Sequence, residues 1–144
     1  MQRTIKFRAW IKENYYDDKP YMLHQVNAVE PNGDIQINSV LHETKGLYDC
    51  HSANEIELMQ YTGLKDSHGN EVYEGDIIEA VFELLDDELK TVMDAGVVVF
   101  KDYGFQVQTF EDHYEPLHEW AQLSEELKVI GNRFENPELL EDNR

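Results

Sequence analysis

Residues 58–82 read LMQYTGLKDSHGNEVYEGDIIEAVF, and the reading of this stretch decides the fold. Three glycines, Gly63, Gly69 and Gly75, sit at six-residue spacing among short apolar runs and acids. Ile56 to Tyr61 predicts a short strand. DSHGN, residues 66–70, predicts a loop whose Gly69-Asn70 pair suits positive φ. Val72-Tyr73, a break at Glu74-Gly75-Asp76, and then Ile77 to Phe82 predict a bend between two extended segments. Gly75 between two acids marks a bulge or sharp corner, where only glycine avoids a Cβ clash. Asp66 and Asp76 are expected to accept turn N–H groups, as aspartate often does. The stretch therefore reads as a folding device, with Tyr61, Gly63, Asp66, Gly69, Tyr73, Gly75 and Asp76 as its structural or binding residues.

Working outward, the same periodicities recur. In TIKFRAW the side chains alternate, with Ile5, Phe7 and Ala9 on one face, which predicts a half-buried strand. PYMLHQVNAVE (20–30) reads as a second strand. Pro31-Asn32-Gly33-Asp34 turns the chain into IQINSVL, a hairpin. Residues 43–54 read as loop. ELLDDELKTVMD (83–94) carries apolar residues at Leu84, Leu85, Leu89 and Met93 and reads either as a short helix or as an acidic hairpin arm. VVVF and FQVQTF flank Asp102-Tyr103-Gly104 as the clearest hairpin. EPLHEWAQL predicts one or two helical turns starting at Pro116, Lys128 to Ile130 a last strand, and NPELLE a helix with Asn136 as N-cap and Pro137 at N1. The expected class is mainly β, with a β-rich α+β arrangement as the alternative: about seven short antiparallel strands in a barrel or sandwich. One domain over residues 1–144 is the simplest division; a finer one separates β portions at 1–55 and 56–144.

Composition bounds the function. The chain has 144 residues, 30 acids against 12 bases and a formal charge of −18. That charge argues against direct nucleic-acid binding, which needs a basic face to release counterions. It suits a DNA-imitating decoy in total amount. A chain of this length is roughly 37 Å across, and duplex DNA of that length carries about 22 phosphates. Its acids cluster at Glu83, Asp86, Asp87 and Glu88 and at Glu111, Asp112, Glu115 and Glu119, without an unbroken stripe. Residues 1–12 reverse the sign with Arg3, Lys6, Arg8 and Lys12. This basic first strand is expected to pair with acidic neighbours, within the chain or on a second copy. No apolar run approaches the ~20 residues of a membrane span, and MQRTIKFRAW lacks the apolar block of a signal peptide. One cysteine, Cys50, excludes an internal disulfide framework. A cytoplasmic protein is the plain expectation.

Candidate chemistry is thin. His113, Glu115, His118 and Glu119 offer zinc-type ligands, and a metal-dependent hydrolase centred there is one reading. The His-x4-His spacing and Pro116 keep the two rings off one helical face. Cys50-His51 are adjacent, so in a strand they point to opposite faces, which does not build a nucleophile and base. Asp66, Glu71, Glu74 and Asp76 share a loop that calcium or magnesium could use, but acids there also form turns. The glycines lack the Lys-Ser/Thr of a phosphate loop. No catalytic, metal or cofactor site is expected. The eight tyrosines, 15, 16, 21, 48, 61, 73, 103 and 114, instead suggest a protein–protein surface, because tyrosine joins large area to a wet tip.

Three blocks, KFRAW (6–10), ELMQYTGLKDSHGNEVYEGDIIE (57–79) and VIGNRFENPELLE (129–141), resemble the YopX-like family of small bacteriophage and prophage proteins. The resemblance covers nearly the whole chain. Residues 12–54 and the acidic segment 83–94 depart from the family pattern. The resemblance implies a mostly β fold, a phage or prophage setting and residence in the bacterial cytoplasm, and it implies no reaction. The expected role is that of a non-catalytic accessory protein that binds itself or a host or phage protein. An acidic inhibitor of a DNA-binding host enzyme is the alternative.

Overall fold

The computed structural model describes residues 4–12, 20–24, 26, 28–29, 31, 35–38, 48–51, 56–84, 90–110 and 113–141. The chain packs as two compact units, residues 1–61 and 62–144. It is mainly β, and one of its sheets curls into a half-barrel.

In the first unit β1 (Phe7–Ile11) lies between β2 (Tyr21–Leu23) and the leading part of β6 (Ile56–Lys65), antiparallel to both. Ala9 and Ile11 pack with Leu23 and Ile56, as the alternation predicts. Ile5 projects into solvent instead. Arg8 is only 8% exposed, so β1 is covered on both faces rather than half-buried. The basic strand meets an acid within the chain, where Lys12 Nζ lies 3.2 Å from Glu57 Oε1. A second, three-stranded sheet holds β3 (Ala28–Val29), β4 (Ile35–Asn38) and β5 (Tyr48–His51). Val29 pairs with Ile35, consistent with a hairpin around Pro31. β5 corrects the loop expected over 43–54; period-two patterning is too weak in YDCH to reveal it, and pairing with β4 supplies what propensity does not.

The second unit is built on a five-stranded sheet, ordered β11-β10-β9-β8-β12. Its strands are β8 (Asp76–Leu84), β9 (Lys90–Lys101), β10 (Gly104–Phe110), β11 (His113–Pro116) and β12 (Glu126–Asn132). β7 (Glu71–Tyr73) precedes it and pairs with β6. The segment 83–94 is thus largely strand at both ends. Leu84, Leu85, Leu89 and Met93 mimic helical spacing, but Phe82 pairs with Val92 and Leu84 with Lys90 across a hairpin. Register places Ile78, Ala80 and Phe82 of β8 on the same face as Val98 and Asp94 of β9, Val107 of β10, and Leu127 and Val129 of β12. The helix α1 (Leu117–Leu123) covers that face with Leu117 and Trp120, an i, i+3 pair. Each large aliphatic buried there contributes roughly 1.5–3 kcal/mol. Pro116 stands at the N-cap, one place earlier than the preferred N1.

The closing helix α2 (Glu138–Glu141) follows the predicted Asn136-Pro137 pair. Asn136 uses its carboxamide differently from the expected cap: Oδ1 accepts the Asn132 N–H at 3.2 Å.

Two places in the backbone are tightly constrained. Gly96 faces β10 so closely that an added Cβ would lie 2.6 Å from Val107 Cγ1 and 2.7 Å from the Gln108 carbonyl oxygen. In the β9–β10 turn, Asp102 and Tyr103 both take positive φ, 53° and 75°. That is the pattern of a type I′ hairpin, where Asn-Gly is the least strained choice. Gly96→Ala is expected to destabilise by about 2–3 kcal/mol, because backbone must move to admit the methyl. Tyr103→Gly should instead raise stability by about 1 kcal/mol through relief of strain. Chemical denaturation of both variants checks the pair of signs.

Candidate binding cleft

The residues singled out in the central block divide between the two units. Tyr61 is buried in the first, with Lys6 Nζ 5.5 Å from its ring centroid and its N–H donating to the Lys6 carbonyl at 2.9 Å. In the second unit Gly63, Gly69 and Gly75 all have positive φ, between 85° and 88°. Asp76, 2% exposed, accepts the Tyr73 N–H at 2.7 Å and closes the turn over Glu74-Gly75. Gly75 N–H donates to the Val98 carbonyl, and its carbonyl accepts from Arg133. Tyr73 is buried beside this turn.

Asp66 does more than turn the chain. Its Oδ1 accepts the N–H groups of His68 and Asn70 at 2.9 and 2.8 Å; Oδ2 accepts the Asn70 carboxamide at 3.2 Å and the Val129 N–H at 3.0 Å. Ser67 completes the junction with β12, donating its N–H to the Leu127 carbonyl and accepting the Leu127 N–H on Oγ. Burial alone would push the Asp66 carboxyl up. Hydrogen bonds from Val129 N–H, both donors of Asn70, and His68 N–H outweigh it and hold the group below its ordinary 3.8.

These acids do not assemble a cation site. Asp66 and Asp76 have turned to backbone N–H groups, and among the described residues no three His, Cys, Asp or Glu side chains gather to hold a metal. Around the hydrolase candidate, His113 Nε2 lies 3.8 Å from Glu115 Oε1, the other Glu115 oxygen accepts from Trp120, and His118 is exposed. Cys50 and His51 occupy successive positions of β5. Tyrosine is scattered too. Tyr73 and Tyr61 are core, Tyr114 lies under Lys101 Nζ at 4.1 Å, and Tyr103 stands 98% exposed at its turn. Tyr15, Tyr16, Arg3 and the acids 86–88 and 111–112 lie outside the described residues.

A different constellation emerges where α1 crosses the sheet. A cleft of 230 Å³ is lined by Phe82, Val92, Asp94, Glu115, Glu119, Trp120 and Leu123. Its apolar lining comes from both layers: Phe82 and Val92 on neighbouring strands, Trp120 and Leu123 on the helix. Trp120 meets Phe82 edge to face, ring centroids 5.4 Å apart. The indole Nε1 donates to Glu115 Oε2 at 2.8 Å and so orients that carboxylate. Asp94 occupies an inner-face position opposite Ala80, where the strand pattern calls for an apolar residue. Its Oδ1 accepts the Ala95 N–H at 2.9 Å.

Among the described residues the lining thus holds three carboxylates and no lysine or arginine. A unit cation about 4 Å from one carboxylate gains ~4 kcal/mol of gross Coulomb energy at an effective dielectric near ~20. Desolvating an ion costs several kcal/mol, so one acid would roughly break even and each further acid within reach adds to the gain. The cleft can therefore accept a cation that carries hydrocarbon with it. From the sequence, Glu115 and Glu119 stand out as possible metal ligands and as part of an acidic cluster, whereas Asp94, Trp120 and Phe82 do not stand out. The available signal was Asp94 at an inward step between Val92 and Gly96.

The architecture is that of a small, mainly β protein with antiparallel sheets and one packed helix. The family model described as YopX protein matches residues 6–141, and the chain belongs to that family. Among solved structures it is similar to protein EF1440 from Enterococcus faecalis, with a TM-score of 0.59 and 23% identity. That similarity spans 96% of this chain and 99% of the other, and it shows the fold. No curated protein matches the chain. Among the described residues no helix is long and apolar enough to cross a membrane.

The Asp66 junction makes a pH-dependent forecast. Its folded pKa is depressed, so its stabilisation is fully present above the ordinary value of 3.8 and is lost as pH falls through the lower, folded value. Asp66→Ala should destabilise by about 2–3 kcal/mol at neutral pH, leaving buried N–H donors unmatched. Urea unfolding from pH 7 to pH 2 should show the gap between wild type and variant closing only at the acid end.

Proposed function

We propose that this chain is an accessory protein of bacteriophages or prophages that acts in the bacterial cytoplasm by binding a basic protein partner, without catalysing a reaction. The observation that carries the reading is the cleft under α1, lined by apolar and acidic side chains together, in a chain of net charge −18. Such a field raises the encounter rate with a positively charged surface and repels like-charged ones. It works against pairing of two copies, so a partner of opposite sign is the better match than the chain itself. Family membership supports the accessory setting.

Affinity capture from bacterial lysate, comparing wild type with the double variant Asp94→Asn, Glu119→Gln, tests this. Wild type should retain a discrete basic protein that high salt releases, since screening shortens from about 8 Å at 0.15 M to about 3 Å at 1 M. The variant, folded by its thermal melt, should lose it. Equal retention by both proteins would reject the cleft as the binding surface.

A further inference from the structure

Resting on that binding reading, we infer that the cleft under α1 is a receptor for one arginine side chain of the partner protein. Size comes first. At 230 Å³ it falls below the ~300–1,000 Å³ of sites for drug-sized ligands and matches a single inserted side chain.

The lining then selects among cations. Leu123, 69% open to solvent, and Val92 give the lining exposed apolar surface that suits a hydrocarbon stem. The Phe82 and Trp120 rings of the lining are less exposed. A guanidinium is planar, stacks on aromatic rings and is weakly hydrated; an ammonium is compact and holds its water strongly. The acids complete the choice. Asp94 comes from β9, Glu115 from β11 and Glu119 from α1, so the negative charge reaches the cleft from three elements. Five N–H donors in a fixed fork can serve several carboxylates at once, where an ammonium has three. Glu115 Oε2 accepts the Trp120 N–H and Asp94 Oδ1 the Ala95 N–H; a carboxylate has about four lone-pair sites, so both keep capacity for an incoming donor.

The probe is N-acetyl-arginine-N-methylamide, with its lysine counterpart as control, titrated into the full chain. The readout is the indole N–H NMR signal of Trp120, told apart from that of Trp10 by a Trp10→Phe variant used for assignment only. A saturable shift of the Trp120 signal is expected with the arginine probe, at least about tenfold weaker with lysine. Asp94→Asn and Glu119→Gln should each weaken it by about tenfold. Asparagine at 94 keeps the acceptor that Ala95 uses, so the fold is preserved while the charge is removed. No saturable shift, an equal response to lysine, or indifference to both substitutions overturns the arginine assignment. If that happens while partner capture still depends on Asp94 and Glu119, binding at the cleft stands and only its ligand is wrong. Capture that is also indifferent removes both.

Discussion

The second unit depends on one buried carboxylate. Asp66, 6% exposed, accepts from two N–H groups of its own loop and from Val129, 63 residues further along the chain. An ionised carboxylate is costly to bury alone and is stable there because donors surround it. The consequence is geometric: with both oxygens committed, the loop over 66–70 has one seat on β12. Ser67 repeats the contact through Leu127. The bend at Gly75 is tied from two further directions, to Val98 and to Arg133. Loop, bend and sheet therefore lock as a set, which is what a block of glycines and aspartates at specified spacing encodes.

Much of this was legible because it is local. Asp-Ser-His-Gly-Asn names its own turn through aspartate's affinity for nearby N–H groups and glycine's freedom at positive φ. The β9–β10 hairpin, the Pro31 hairpin and α1 announce themselves in the same way. Segments whose structure is set by a distant partner were not legible. β5 forms because β4 offers a ladder, and residues 90–94 join a strand because β8 lies beside them, despite helix-like spacing. Val129 carries no sign in its neighbourhood that Asp66 will claim its N–H.

The cleft was hidden for that reason and one more. Its seven lining residues come from two strands, a third short strand and a helix, and no window of sequence holds them together. Acids are also so frequent in this chain that Glu115 and Glu119 stand out only once Trp120 is seen to hold one of them. Asp94 is the exception. A carboxylate at an inward register position, between Val92 and Gly96 on that face, stands where its immediate neighbours are apolar or glycine. Such a placement costs stability without an evident packing gain and so marks a position shaped by something other than folding.

The seating of residues 66–70 also bears on how the protein behaves when crowded. β12 is the last strand of its sheet, and a terminal strand ordinarily offers bare N–H and C=O groups on which another chain can polymerise. Here Asp66 and Ser67 already occupy Val129 and Leu127. That flank is therefore closed to growth of a cross-β stack unless the loop is first torn away. Acid strong enough to protonate Asp66 would loosen the Val129 contact and leave the Ser67 pair with Leu127 to keep that edge covered.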